Sequence, residues 1–306
     1  MIDDVLLWVD TPAAFNVQKH LDAPKETANM NTGEIVVTGY YKNLRTRLKA
    51  SGLSIQGSLN KYLYGNNLES MSRRSVQDSI SKLSDELSLP INNGIVYRFD
   101  IACNFVMKRP LGDYLSKLGS VRYFKKSEIS NLQTVIYSNC NRALIFYDKI
   151  AEVKKKGGAI PELFKGKNVL RYEMRFRKRI KDQFKKVVTA ADLYDEKFYS
   201  AAIKQWKSSY SAISRFNDVA GGLSMVGGVK ELESSLILLG MQAIGGGEVV
   251  FQQIESAYRM GKIDKQQAHR MKNKIKQVMS NPSLTAPPET IKELDKKISQ
   301  VAMFCR

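Results

Sequence analysis

The apolar run from Ala143 to Phe146 ends in Tyr147, and Lys149 and Glu152 follow it closely. Upstream, Tyr97 and Phe99 alternate with Arg98 and Asp100. Downstream, Tyr172 and Met174 alternate with Arg171, Glu173 and Arg175. A phenol is a candidate nucleophile, paired carboxylates are candidate ligands for a hard cation, and arginine is suited to phosphate. Together these groups have the chemistry to cleave a phosphodiester through a covalent intermediate. A plainer reading stands beside it. Asp100 and Glu173 each lie two residues from an arginine and could simply form ion pairs, and Tyr147 could be a half-buried strand tyrosine.

Such chemistry needs the groups on one surface. On a strand, residues two apart share a face. Arg98 therefore points with Asp100, Arg171 with Glu173 and Arg175, and Ile145 with Tyr147. If the three strands are neighbours, one sheet face carries Asp100, Glu173 and Tyr147. Asp100 and Glu173 would then hold Mg2+ or Mn2+ and leave positions open for phosphate. Glu152 is a further ligand candidate, reaching in from the turn or helix after Tyr147.

The elements that must position these residues are of mixed type over the first 180 or so residues, which read as α+β. Strands are expected over 5–9, 95–105, 121–124, 133–137, 142–148 and 169–177. Another is expected from Leu53 through Gly57, continuing into 59–65. Val76, Ile80, Leu83 and Leu87 form one apolar stripe on a helix over 72–88, ended by Pro90. Pro110 suggests a short helix start. Beyond residue 180 the pattern turns helical, over 195–214, 231–243, 248–260, 265–279 and 288–303. Asp264 and Gln267 form a capping box after Gly261. The pair around Gly261 therefore reads as a helical hairpin, two packed helices ahead of a helix-turn-helix reader. Gly221, Gly222, Gly227 and Gly228 suggest a joint.

A formal net charge of +18 makes a polyanion the leading partner class, nucleic acid first and an anionic membrane surface second. The charge is concentrated. Lys154 to Lys186 holds thirteen Lys or Arg against Glu162, Glu173 and Asp182. Lys154, Lys155 and Lys156 precede two glycines, as in a loop that follows phosphates, and Arg175, Arg177 and Arg179 surround Phe176. The two histidines, His20 and His269, make no metal-binding pair, and no Walker loop is present. Three scattered cysteines, an acidic N-terminus and no apolar run of bilayer length point to a cytoplasmic protein with no membrane partner.

The order of these segments resembles the filamentous-phage gene II/X family of replication initiation proteins, and more distantly plasmid rolling-circle initiators. It consists of an R-x-D strand ending at Asp100, a Y-x-K-x-x-E segment from Tyr147 to Glu152, and an R-x-E-x-R strand from Arg171. The similarity is strongest over 95–178. It implies a nuclease core over 1–180, built as an antiparallel sheet with helices on one face, and an all-helical domain over 181–306. It implies an enzyme that nicks one strand of origin DNA. A tyrosine is linked to the 5′-phosphate, a free 3′-OH is left, and the strands are later religated without ATP. Tyr147 maps onto that tyrosine, with Tyr137 in reserve, and Lys149 would sit beside the scissile phosphate. Asp100 and Glu173, with Glu152, would hold Mg2+ or Mn2+. Lys154, Lys155, Lys156, Arg171, Arg175, Arg177 and Arg179 would contact DNA. Origin DNA and a host helicase or polymerase are the implied partners, in a bacterial cytoplasm. The competing expectation is a basic DNA-binding regulator without catalysis.

Overall fold

The computed structural model describes residues 1–10, 17–28, 30–129, 133–219, 228–244, 246–281 and 285–304. The chain forms two compact units. One comprises Met1–Leu111, Arg122–Ala212 and Lys297–Arg306, and the other Gly112–Val121 and Ile213–Lys296.

The first unit is built on a ten-stranded sheet, antiparallel at every pairing. Its strands are β1 (Ile2–Asp10), β2 (Asp22–Ala28), β3 (Ile35–Tyr41), β4 (Leu44–Lys49), β5 (Gly52–Ser58), β6 (Ile95–Met107), β7 (Lys125–Ile129), β8 (Thr134–Ser138), β9 (Arg142–Asp148) and β10 (Asn168–Phe176). The spatial order is β2-β3-β4-β5-β1-β6-β10-β9-β8-β7. The three motif-bearing strands β6, β10 and β9 are thus consecutive neighbours at its centre.

Alternation explains most of this. In β4, Leu44, Thr46 and Leu48 are buried and Arg45 and Arg47 exposed. In β10, Tyr172, Met174 and Phe176 face an aromatic layer: Tyr172 stacks on Phe146 at 4.4 Å and on Trp206 at 4.8 Å. Phe99 stacks on Phe176 at 4.6 Å, and Phe184 and Phe198 close the layer. Trp206 and Phe198 come from a helix over Glu196–Ser211, and Phe184 from one over Ile180–Phe184. That layer of the sheet is core, so the opposite face of β6, β10 and β9 is left for the charged residues.

Two expected strands are something else. The segment after Gly57 is a helix, α1 (Leu59–Tyr64), because the Ser58 side chain caps it by accepting from Lys61 N at 3.1 Å. Gly65, at a φ of 76°, ends it. Residues 121–124 form a turn in which Tyr123 takes a φ of 66°, and pairing begins at Lys125. The apolar stripe on α2 (Arg73–Leu87) is buried as its spacing predicts. A short helix, α3 (Leu111–Leu115), follows Pro110, and α4 (Lys149–Lys155) follows β9 directly.

Within the second unit, three helices share a core. After α5 (Ile180–Phe184) and α6 (Glu196–Ser211) come α7 (Val229–Ala243), α8 (Gly247–Arg259) and α9 (Lys265–Met279). Leu238, Met241 and Val278 are its buried centre, with Ile237, Val250, Ile275 and Met279 packed against them. The capping box at Asp264 forms in both directions. The glycine joint falls largely outside the described residues. No helix among those described is long and apolar enough to cross a membrane.

Candidate active site

Strand register puts the motif residues on one face. Arg171 lies opposite Tyr147 on β9 and opposite Asn104 on β6, and Arg175 lies opposite Asp100. Glu173 sits between them, across from Ile145 and Ala102. The Tyr147 hydroxyl donates to Glu173 Oε2 at 3.4 Å. Arg175 Nε bonds Glu173 Oε1 at 2.7 Å and lies 3.3 Å from Asp100 Oδ2. Arg98 grips Asp100 with two nitrogens, Nη2 to Oδ2 at 2.7 Å and Nε to Oδ1 at 3.2 Å. Tyr137 has the opposite parity. It is fully buried in the aromatic layer, edge-on to Phe146.

Two acids that motif spacing does not single out complete the network. Pairing of β1 with β6 shifts register between Ile2 and Val5. Ile2 and Val5 are both buried in the core, and the intervening Asp3 and Asp4 both turn toward the charged face, the re-aiming that a bulge provides. Asp3 accepts from Arg171 Nη2, from Ser58 Oγ at 2.5 Å and from Asn67 Nδ2 at 3.3 Å. Asp4 Oδ1 lies 3.5 Å from Arg98 Nη2 and is buried without a hydrogen bond. The sequence signal was present as an adjacent acid pair entering an apolar strand, but only the bulge makes both point inward.

The electrostatics follow from burial opposed by arginine. Burial raises Asp100 well above the ordinary carboxyl range despite Arg98, and Glu173 nearby pushes it further. Burial also opposes the charge on Glu173, but Arg171 and Arg175 outweigh it and hold that carboxylate low. The two carboxyls are therefore pushed apart, Asp100 toward its neutral form and Glu173 toward its ionised form. Asp4 is pushed up to about 6 by burial, against the pull of Arg98. Burial raises the Tyr147 phenol too, with Arg171 opposing and Glu173 reinforcing the rise.

The remaining candidates are placed differently. Lys149 is buried, and its Nζ bonds Glu152 Oε2 at 2.7 Å. Burial, then Arg171, lowers the lysine's pKa. Burial works against the Glu152 carboxylate, but hydrogen bonds from Lys149 and Lys156 hold it below the ordinary range. Glu152 thus belongs to an ion-pair group on α4 and is not paired to Asp100 or Glu173. Arg171 is also buried. Its N–H groups go to Asp3, Glu173, Asn104 Oδ1 and the carbonyl of Asn67. Lys154, Lys155, Lys156, Arg177 and Arg179 are exposed, and Arg175 is about one-third exposed. A cleft of about 450 Å³ opens beside Lys149 and Glu152, with Lys61, Lys156 and the half-exposed ring of Tyr64 on its walls.

No group of three or more His, Cys, Asp or Glu residues among those described is gathered to hold a metal by itself. The donors on offer are the neighbouring carboxyls of Asp100 and Glu173, with Asp4, whose Oδ1 faces Arg98, beside them. That is the limited kind of set Mg2+ uses when substrate phosphates complete its shell.

Residues 1–208 match the family model Phage_CRI, which describes the N-terminal region of a gene II-type replication-associated protein, and that span contains every residue of this site. No curated protein matches the chain.

Proposed function

The chain belongs to the Phage_CRI family of replication-associated proteins, the gene II-type replication initiators of filamentous phages, and from that membership we propose that it nicks one strand of its origin through Tyr147. The observation that carries this reading is the Tyr147 hydroxyl. It is held 3.4 Å from Glu173, on the one sheet face where Asp3, Asp4, Asp100 and three arginines converge.

In the proposed reaction the Tyr147 oxygen attacks a backbone phosphorus. A tyrosyl O–P bond forms and the P–O3′ bond breaks, so one phosphoester replaces another and the energy is kept for religation. The phenolic proton passes to Glu173, its hydrogen-bond acceptor, and the 3′ oxygen leaves and takes up a proton. Asp100, whose carboxyl burial biases toward the neutral form when no cation is bound, is the acid nearest that exchange. Arg175 and Arg98 stand where they can offset charge on the phosphate. Arg171 is a positioning residue: it ties β10 to Asp3 and to the loop at Asn67, and so fixes Glu173 under Tyr147. A divalent ion, Mg2+ or Mn2+, would be held by Asp100 and Glu173 with Asp4 beside them. When bound it supplies polarisation of a phosphoryl oxygen.

Single-stranded DNA would lie across the exposed cations of Lys154 to Lys156 and Arg177 to Arg179. The cleft beside Lys149 offers Tyr64 as a stacking surface for an unpaired base.

A second reading has its own observation. Glu173 and Asp100 are fully engaged by arginines, and the Tyr147 phenol is raised rather than lowered. A network of that kind can serve structure alone, in a DNA-binding regulator of replication. The two readings part in one assay. Single-stranded oligonucleotides tiling the origin of the encoding replicon are incubated with the full chain and Mg2+ or Mn2+. A covalent protein–5′-DNA adduct that disappears in Tyr147→Phe supports nicking. DNA binding with no adduct under either ion supports the regulator.

A further inference from the structure

We propose that the outer face of α9 reads base edges of duplex DNA in the major groove. The proposal rests on the reading of this chain as an origin-acting protein and adds the surface that recognises the double-stranded part of the origin.

The inference begins with which side of α9 is covered. Ala268 and Val278 are buried, and Ile275 and Met279 pack into the helical core. The opposite side is open. Gln266, Arg270, Asn273 and Gln277 are all exposed and follow at spacings of 4, 3 and 4, so they form one stripe. These are side chains able to donate and accept in pairs: Arg to guanine, Asn and Gln to adenine. Cations border the stripe. Lys274 lies on one side, and Lys265 and Lys276 on the other, all exposed. An amide-and-arginine centre flanked by lysines is the arrangement that separates base contacts from phosphate contacts.

Charge on the helix is one-sided. It holds five Lys or Arg and neither Asp nor Glu. The nearby acids are occupied: Asp264 caps the helix, and Glu255 of α8 pairs with Lys272 and Arg259. Asn273 is held by a 2.9 Å hydrogen bond to His269, which limits its rotamers before any DNA arrives. The face lacks the apolar stripe that membrane insertion requires. Duplex RNA fits it poorly, because a helix cannot enter the narrow major groove of the A form.

The test uses the full chain carrying Tyr147→Phe, so that cleavage does not interfere, and a randomised duplex oligonucleotide pool. Selection is expected to yield a preferred sequence. Arg270→Ala/Asn273→Ala should then lose about 10- to 100-fold of the preference for that duplex over a scrambled one. Gln266→Ala/Gln277→Ala should shift the preferred bases independently. Lys274→Ala/Lys276→Ala should weaken both duplexes alike and reduce the salt slope by about 2. All of these side chains are exposed, so helix content and Tm should be unchanged. The proposal is overturned if no sequence is enriched. It is equally overturned if the first two variants keep the same preference, or if structured RNA or anionic phosphatidylserine vesicles displace the duplex pool more effectively than DNA does. Enrichment without nicking by the unsubstituted chain would refute the Tyr147 reading alone. Nicking without enrichment would refute this one alone.

Discussion

Asp4→Asn should make the protein more stable at neutral pH, and by an amount that depends on pH. Burial pushes the Asp4 carboxyl from its ordinary 3.8 up to about 6, and its Oδ1 has no hydrogen bond. The folded state therefore holds the proton more tightly than the unfolded state. Stability from this group is fully present below pH 3.8 and is lost as pH rises through 6. At about 1.4 kcal/mol per pH unit, the ionised carboxylate costs up to about 3 kcal/mol near neutrality. Asparagine keeps the shape of the neutral acid. The substitution should thus be close to neutral near pH 4 and stabilising by up to about 3 kcal/mol at pH 7. Urea unfolding of both proteins at the two pH values measures it, and the difference between pH values cancels effects that do not titrate. An equal effect at both values, or destabilisation at pH 7, would refute the assignment of Asp4 as an acid whose ionisation burial opposes. If Asp4 also helps to hold a cation, the stabilised variant should need more Mg2+ or Mn2+ for nicking.

Arg171→Met removes the partner of Asp3 and Glu173 and should destabilise by about 3–5 kcal/mol, because it leaves buried carboxylates uncompensated. A loss under 1 kcal/mol in urea unfolding would contradict its role as the tie between β1 and β10. Tyr64→Ala should weaken single-stranded DNA binding by about 1–3 kcal/mol through lost stacking, with duplex binding unchanged in fluorescence anisotropy. Arg177→Ala/Arg179→Ala should lower the salt slope for single-stranded DNA by about 1.4 without changing the urea midpoint. An unaltered slope would show that these cations face solvent only.

The sheet is legible where packing is local and hidden where it is not. The strand at 142–148 and the helix at 265–279 appear with the bounds their patterns predict, because an apolar run and a capping box are visible in a short window. Strands β2 to β4 lie outside the expected set. All seven residues of β2 are exposed, and it includes Pro24, so nothing apolar announces it; it exists by pairing with β3 at the sheet edge. The alternation in β4 is readable in principle, since Leu44, Thr46 and Leu48 share one face. The helix at Leu59 is hidden because Ser58 acts as a cap only once the chain turns.

The candidate site divides in the same way. Parity places Asp100, Glu173 and Tyr147 on one face, and strand register brings them there, since β6, β10 and β9 are adjacent. Parity also separates Tyr137 from that face. What sequence spacing does not supply is the contribution of Asp3 and Asp4, which reach the site across the sheet through a bulge in β1. Nor does spacing reveal that Arg171 faces inward. Its charge resembles that of Arg177, and only the carboxylates and carbonyls around it distinguish the two.

The most direct measurement is the identity of the residue that carries DNA. The full chain is reacted with a single-stranded oligonucleotide from its origin in Mg2+ or Mn2+, then digested with protease and nuclease, and the nucleotide-bearing peptide is sequenced by mass spectrometry. The phosphodiester remnant should sit on Tyr147, and Tyr137→Phe should leave its yield unchanged. A remnant on Tyr137 or any other tyrosine would contradict the assignment. So would origin cleavage that leaves no tyrosine-bound nucleotide.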